Sequence, residues 1–417
     1  MKKKFASNEQ SPQRQQPSHV RSRDIENVLI LQGGGSLGAF ACGTYKAFAE
    51  NKIHFDIIAG TSIGAINAAI IAGSKNHANH PEKDLEDFWL ELSESTPSII
   101  PDSHIWDFDY EKHRSYLRPI PSAPANAAFF GIPKMFEPRW NWNNMITDSK
   151  FFMPSTWTYL YDHNKRLGET LDKYIDYKKL GPVDKDSSKQ DKKKKPRLIV
   201  TAVDVLTAEH LVFDSAKTQI QSKHLLASAA YPAYGFPWIK IEKDVYAWDG
   251  ALMSNTPIRQ VFKASPRNDK HVYVVENYPK IRKTLPSNRL EIEDRMRDII
   301  FSDKTSYDID IIAKITKMIE LMDQMYDVIM EKSSSFTDTN NMSEKIKNIK
   351  KEYHEIVENH GSEILSIHKI SREVMEHPYP LKNADFSPET VKKLISQGMK
   401  KASEHLLHNN NSNTKKE

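Results

Sequence analysis

The stretch FDIIAGTSIGAINAAIIA, residues 55–72, decides the fold. Phe55 to Ala59 reads as a short strand, and the residues from Ala65 to Ala72 are those of a helix. Between them stands Gly60-Thr61-Ser62-Ile63-Gly64. A nucleophile on such a turn has strained backbone angles, and glycine on either side removes Cβ atoms that would collide. The serine is then exposed at a helix N-terminus, where amides and the dipole favour developing negative charge. The small Ala65, Ala68 and Ala69 let the helix lie close to the sheet. Five residues of the form G-x-S-x-G are a weak sign alone; the strand–turn–helix setting gives them weight.

The same arrangement occurs just upstream. A strand from Asn27 to Gln32 leads into Gly33-Gly34-Gly35-Ser36-Leu37-Gly38 and then a helix from Ala39 to Glu50. Two such units in succession predict an α/β domain with neighbouring parallel strands. Consecutive glycines at a helix start leave backbone N–H groups aimed at an anion, which in acyl transfer is the tetrahedral oxyanion. Gly33, Gly35 and Gly38 also satisfy the dinucleotide pattern G-x-G-x-x-G. That pattern requires an acidic residue near the end of the next strand; Asp56 sits near its start, so a nicotinamide or flavin role is disfavoured and no cofactor is expected. Further on, a strand from Val245 to Trp248 delivers Asp249-Gly250-Ala251, by itself an ordinary turn.

Together the three motifs resemble the patatin-like phospholipase family, over roughly residues 25–280. Val200-Thr201-Ala202-Val203-Asp204 and Ala227-Ser228-Ala229-Ala230-Tyr231-Pro232 add to the similarity. The last third, with Arg295 to Thr305, looks like that of a bacterial subgroup carrying a C-terminal domain of unknown function. The resemblance implies a three-layer α/β/α sandwich with a mainly parallel sheet and a C-terminal helical extension. It implies a Ser–Asp dyad of Ser62 and Asp249 and an oxyanion loop of Gly33, Gly34, Gly35 and Gly38. Gly60 and Gly64 would form the nucleophile elbow, and Gly250 and Ala251 would complete the acid motif. The activity implied is hydrolysis of lipid acyl esters through an acyl-enzyme, as in a phospholipase A or lysophospholipase. A small-ester or thioester hydrolase with the same dyad is the alternative, and a non-catalytic lipid-binding protein the second. None of the 16 histidines stands in a catalytic motif, although a third residue is left open, because triads are defined by geometry rather than order.

Composition narrows the class. The chain has 417 residues and a net charge of +4, from 59 basic and 55 acidic side chains, without the basic bias of a nucleic-acid binder. The one cysteine, Cys42, excludes an intrachain disulfide and reads as a buried structural thiol. No apolar run follows the lysines at positions 2–4, so no cleavable signal peptide is expected. No stretch has the roughly 18 apolar residues of a membrane span. The expectation is a cytoplasmic protein with peripheral contact to a lipid surface, leaderless export being left open. His77, His80 and Asp84 are too loosely spaced to predict a metal site.

The expected organisation is a disordered tail over 1–24, a catalytic domain over 25–280, a helical region over 281–403 and a disordered tail over 404–417. Within the catalytic domain, 101–165 is an aromatic and proline-rich insertion, read as irregular packing or as an acyl-chain lid. Residues 184–196 form a lysine-rich surface loop. Ile311, Ile315, Met318, Met322, Met325 and Ile329 recur at three- and four-residue steps and predict a helix, paired with a second through Ile346, Ile349, Tyr353 and Ile356. That pair is expected to pack on the catalytic domain or on a second subunit, as in a homo-oligomer, a lipid-facing methionine-rich surface being the alternative.

Overall fold

The computed structural model describes residues 24–99, 122–140, 157–182, 195–278, 280–282, 284–302, 305–333, 340–360, 362–374 and 381–413. Most of the aromatic insertion and of the lysine-rich loop, and the N-terminal tail up to residue 23, lie outside the described residues.

The strands are β1 (Ile25–Leu31), β2 (Ile57–Thr61), β3 (Glu137–Pro138), β4 (Tyr161–Asp162), β5 (Arg197–Asp204), β6 (His210–Asp214), β7 (Ile239–Glu242), β8 (Val245–Asp249), β9 (Asp269–Glu276) and β10 (Ile364–Ser371). The helices are α1 (Ala39–Glu50), α2 (Ile63–Ala72), α3 (Pro81–Glu94), α4 (Ser122–Phe130), α5 (Asn164–Tyr174), α6 (Ser222–Ser228), α7 (Ile258–Ala264), α8 (Arg289–Phe301), α9 (Thr305–Ser333), α10 (Asn340–His360) and α11 (Pro388–Asn413). Eight strands form one sheet in the order β10-β9-β1-β2-β5-β8-β7, with β6 also on β5. From β10 to β5 every pairing is parallel; β6, β7 and β8 are joined antiparallel.

Parallel strands covered on both faces read as unbroken apolar runs. β1 does so: Val28, Leu29, Ile30 and Leu31 are all fully buried. Its alternate residues serve different layers. Leu29 and Leu31 pack with Phe40 and Phe48 of α1, Ile66 and Ile70 of α2, and Leu394 of α11. Val28 and Ile30 pack with Ile258 and Val261 of α7 and with Ile309 and Ile312 of α9. The result is the α/β/α sandwich expected from the sequence, with C-terminal helices in both outer layers.

The helical region expected over 281–403 also contains a strand. Ile364–Ser371 is a strand that extends the main sheet in parallel with β9. α11 runs on through Asn413, into the segment read as a tail, and lies against α1. The two helices meet at Gly43 and Gly398. A Cβ on Gly43 would stand 1.8 Å from the Ile395 carbonyl oxygen, and one on Gly398 would stand 2.0 Å from that of Phe40. Residue 280 is therefore no boundary of the sheet. A chain ended there loses the cover given by Phe386, Val391, Leu394 and Ile395, each burying a side chain worth roughly 1.5–3 kcal/mol. That sum rivals the whole stability of about 5–15 kcal/mol typical of a domain. The expected result for residues 24–280 expressed alone is loss of soluble protein and of a cooperative thermal transition. A sharp melt from that fragment, comparable with the full chain, would show that the C-terminal strand and helix are accessory.

The α9–α10 pair also differs from its sequence pattern. Ile319 and Tyr353 form its small core, with Tyr326 stacked on Tyr353 at 4.1 Å, while Ile315, Met318 and Met325 face outward. No helix among the described residues is long and apolar enough to cross a membrane.

Candidate active site

β2 ends at Thr61 and α2 begins at Ile63, so Ser62 occupies the turn between them. It has φ 58° and ψ −132°, a conformation that L-residues rarely adopt. The neighbouring glycines make this turn sterically possible. A Cβ on Gly60 would lie 2.2 Å from the Gly64 carbonyl oxygen, and one on Gly64 would lie 2.2 Å from that of Leu31. The turn is pinned from behind. The Ser62 N–H donates to Ser228 Oγ at 2.9 Å, and the hydroxyls of Thr61 and Thr201 meet at 2.7 Å.

Asp249 closes β8 on the neighbouring side of β5 and is buried. Its backbone N–H donates to the Ala230 carbonyl at 3.1 Å, and Oδ1 accepts from the Ala251 N–H at 2.8 Å. Asp249 and Ser62 line the same cavity. Burial penalises the charged carboxylate and raises its pKa to about 7; the Ala251 hydrogen bond and the nearby Ser62 side chain oppose this without cancelling it.

Ser62 and Asp249 open into a cavity of about 310 Å³. Gly34 and Gly35 line it beside them; Gly33 and Gly38, also expected in the oxyanion loop, do not. The Gly33 N–H points to the Asn255 carbonyl at 3.4 Å, and Gly38 packs against Ile63 and Trp89. Gly34 and Gly35 stand where a short 3-10 turn begins, the position at which N–H groups lack intrahelical acceptors. Gly35 has φ 57°, and a Cβ there would lie 2.3 Å from the Asn383 carbonyl oxygen. Its glycine is thus required both by conformation and by space.

Most of the remaining lining is apolar: Met135, Phe136, Leu160, Phe236, Phe301 and Phe386 among it. No histidine lines the cavity among the described residues. Phe301, Leu381, Asn383 and Phe386 come from beyond residue 280, which the motifs gave no reason to expect. A buried ion cluster holds this segment: Lys382 Nζ lies 2.9 Å from Asp294 and 2.5 Å from Asp298, and Arg282 bonds both carboxylates. The Lys382 carbonyl accepts from Ser36 Oγ at 3.2 Å, and Asn383 Nδ2 donates to the Tyr234 hydroxyl at 2.7 Å.

The other residues singled out in the sequence lie elsewhere. Cys42 is fully buried in α1, and burial raises its thiol pKa far above the ordinary range. The structure brings His77 and Asp84 together with Asp87, while His80 instead faces Glu82 at 3.0 Å. Asp84 is buried, which would raise its pKa, but bonds from Ser74, His77 and Asn76 outweigh this and hold it near 2. Its oxygens are thereby engaged in tying the 74–77 loop to α3.

A strained serine between a parallel strand and a helix, facing a buried aspartate and a glycine loop, defines a class of α/β hydrolytic fold. The profile of the patatin-like phospholipase family matches residues 29–262, more than half of the chain, and the chain belongs to that family. A 44-residue stretch is 46% identical to the triacylglycerol lipase SDP1L of Arabidopsis thaliana, covering 11% of this chain and 6% of that lipase. Among solved structures, VipD from Legionella pneumophila is similar at a TM-score of 0.38 and 14% identity, over 93% of this chain and 67% of that one. The type III effector protein ExoU is similar at 0.28 and 14%, over 93% and 54%. The chain spans a small part of the lipase and about half of ExoU, and the structural likenesses are too distant to bear on chemistry.

Proposed function

We propose that this chain is a serine hydrolase of lipid acyl esters, working through Ser62 and Asp249. The observation that carries the reading is a strained Ser62 and a buried Asp249 that share the wall of one apolar cavity. In the proposed reaction Ser62 Oγ attacks the acyl carbonyl as its proton passes to Asp249. The C=O π electrons move to oxygen, and the N–H groups of Gly34 and Gly35 face that charge. Collapse expels the alcohol, which takes the proton from Asp249, and leaves an acyl-serine. Water then attacks the acyl group, giving its proton to Asp249, and the fatty acid departs as Ser62 regains one. A carboxyl with a pKa of about 7 suits both proton transfers near neutral pH.

Two features favour lipid over small soluble esters. The cavity lining is mostly hydrocarbon. Large apolar side chains next to lining residues are exposed: Phe129 and Phe130 after Ala128, and Leu252 and Met253 after Ala251. A rim of this kind suits contact with a lipid surface. No step requires a metal.

The test joins labelling to a substrate panel. A fluorophosphonate is expected to modify Ser62, located by mass spectrometry on the peptide carrying Gly60 to Gly64. The purified protein is expected to release fatty acid from phospholipid, lysophospholipid or neutral-lipid dispersions, in chelator, faster than from monomeric short-chain esters. An adduct elsewhere with Ser62 unmodified would sink the nucleophile assignment. Equal or higher rates on monomeric esters would favour the small-ester alternative.

A further inference from the structure

Around the glycine loop lie three buried side-chain amides that no motif predicts: Gln32, Asn277 and Asn255, the last also lining the cavity. They come from the end of β1, from beyond β9, and from beyond Asp249. Gln32 is fully engaged. Its Nε2 donates to Thr256 Oγ1 at 3.1 Å and to the Phe301 carbonyl at 3.0 Å, and its Oε1 accepts from the N–H groups of Asn277 at 2.7 Å and Tyr278 at 3.0 Å. Asn277 Nδ2 returns to the loop, donating to the carbonyls of Gln32 at 2.8 Å and Gly33 at 3.2 Å. Asn255 Nδ2 donates to the Gly33 carbonyl at 3.4 Å and to that of Phe301 at 3.0 Å.

We propose that Asn277 and Asn255, with Gln32 holding Asn277 in place, are positioning residues that aim the Gly34 N–H by pinning the Gly33 carbonyl. The inference rests on the Ser62 reading given above.

The argument is one of peptide geometry. In a trans peptide the C=O and the following N–H point to opposite sides of the chain. Two amide donors on the Gly33 oxygen therefore fix the direction of the Gly34 N–H, away from Asn277. Gly34 lines the cavity beside Ser62 and Asp249, and Asn255 also reaches its wall, whereas Asn277 does not. A run of three glycines holds no orientation by itself, because it has the widest backbone freedom of any sequence. Stabilisation of an oxyanion depends on donors already in place before charge develops.

The orientation of the amides is determined by their partners. The carbonyls of Gln32, Gly33 and Phe301 can only accept, so nitrogen must face them. As a consequence the Oδ1 atoms of Asn255 and Asn277 are buried without a hydrogen-bond partner. An unsatisfied buried carbonyl is costly, and apolar side chains would avoid it. The amides are thus placed for their donors. The Phe301 carbonyl, at the end of α8, accepts from both Gln32 and Asn255 and links the clamp to the C-terminal region.

The test is Asn277→Asp, which keeps shape but sets an acceptor against two carbonyl oxygens, with Asn277→Ala as a second variant that only deletes the donor. On a soluble reporter ester, kcat is expected to fall by about 10²-fold, the scale of one oxyanion donor, with KM changed less than about twofold. A trifluoromethyl ketone provides the readout that a merely structural residue would not move. Ser62 Oγ adds to its carbonyl, the proton passes to Asp249, and the oxygen becomes an anion in the place of the reaction's oxyanion. Its inhibition constant is expected to weaken in parallel with kcat, while that of a product fatty acid stays unchanged. Where one variant fails to fold, the soluble one decides. Activity falling only with the folded fraction, or ketone affinity unchanged in a folded variant, overturns the clamp. Ser62→Ala run alongside separates the two ideas. If Ser62→Ala turns over ester, the site reading fails; if it is inactive while both Asn277 variants match wild type, only the clamp fails.

Discussion

Replacing Ser62 by glycine is expected to abolish ester turnover and, at the same time, to make the fold more stable. The loss in kcat should be on the order of 10⁶, the scale seen when a nucleophile that acts with its base as a unit is removed. The gain in stability follows from the backbone. At φ 58° and ψ −132° Ser62 sits in territory that costs a residue with a Cβ about 1–3 kcal/mol, and glycine occupies it without that cost. Glycine's greater freedom in the unfolded chain takes back about 0.4–1 kcal/mol, leaving a net gain of about 1 kcal/mol. Ser62→Ala supplies the contrast, since it removes the hydroxyl but keeps the Cβ. Both variants should be equally inactive, and only the glycine variant should unfold at higher denaturant concentration than wild type. Equal midpoints for the two would show that the elbow stores no strain.

The elbow was legible because its requirements are local. The glycines of Gly60 to Gly64 and the strand-like run before them state strand, turn and helix within a few residues, and α1 could be bounded at Ala39 and Glu50 for the same reason. α3 escaped notice although its signals were present: Pro81 at the first turn, then Leu85, Phe88, Trp89 and Leu92 at helical spacing. β10 was hidden for a different reason. Its sequence ILSIHKIS carries His368 and Lys369 and follows two charged helices, and only pairing with β9 makes it a strand. The apolar period of α9 correctly gave a helix, but Ile315, Met318 and Met325 are uncovered, because periodicity reports a face and not what covers it. The amides around the glycine loop were beyond sequence reasoning. Gln32, Asn255 and Asn277 are common polar residues separated by more than 200 positions in two cases, and their meaning exists only once the sheet has brought them together.

Asp249→Asn should set activity against stability in the same protein. Asparagine can still accept the Ala251 N–H through its oxygen, but it cannot take the Ser62 proton, so kcat should fall on the order of 10³-fold or more. In the wild type, kcat/KM should rise about tenfold per pH unit up to about 7 and level off above it, as the carboxylate form fills. Stability moves the other way. The pKa is raised from 3.8 to about 7 in the folded protein, so between those values the folded state holds a proton that the unfolded chain has released. The contribution is fully present below pH 3.8 and is lost as pH rises through about 7, by about 1.4 kcal/mol per unit and about 4 kcal/mol at most. The substituted amide has no such titration. Measured against wild type by chemical denaturation, the variant should therefore gain in relative stability from pH 4 to pH 8, over the interval in which wild-type activity climbs. A difference that stays flat across this interval would mean that the carboxyl titrates outside it. Near-normal turnover with unchanged circular dichroism would remove Asp249 from the reaction. The opposed slopes have one origin: the burial that makes this carboxylate a base strong enough to take a serine proton also makes its charge expensive to keep inside the fold.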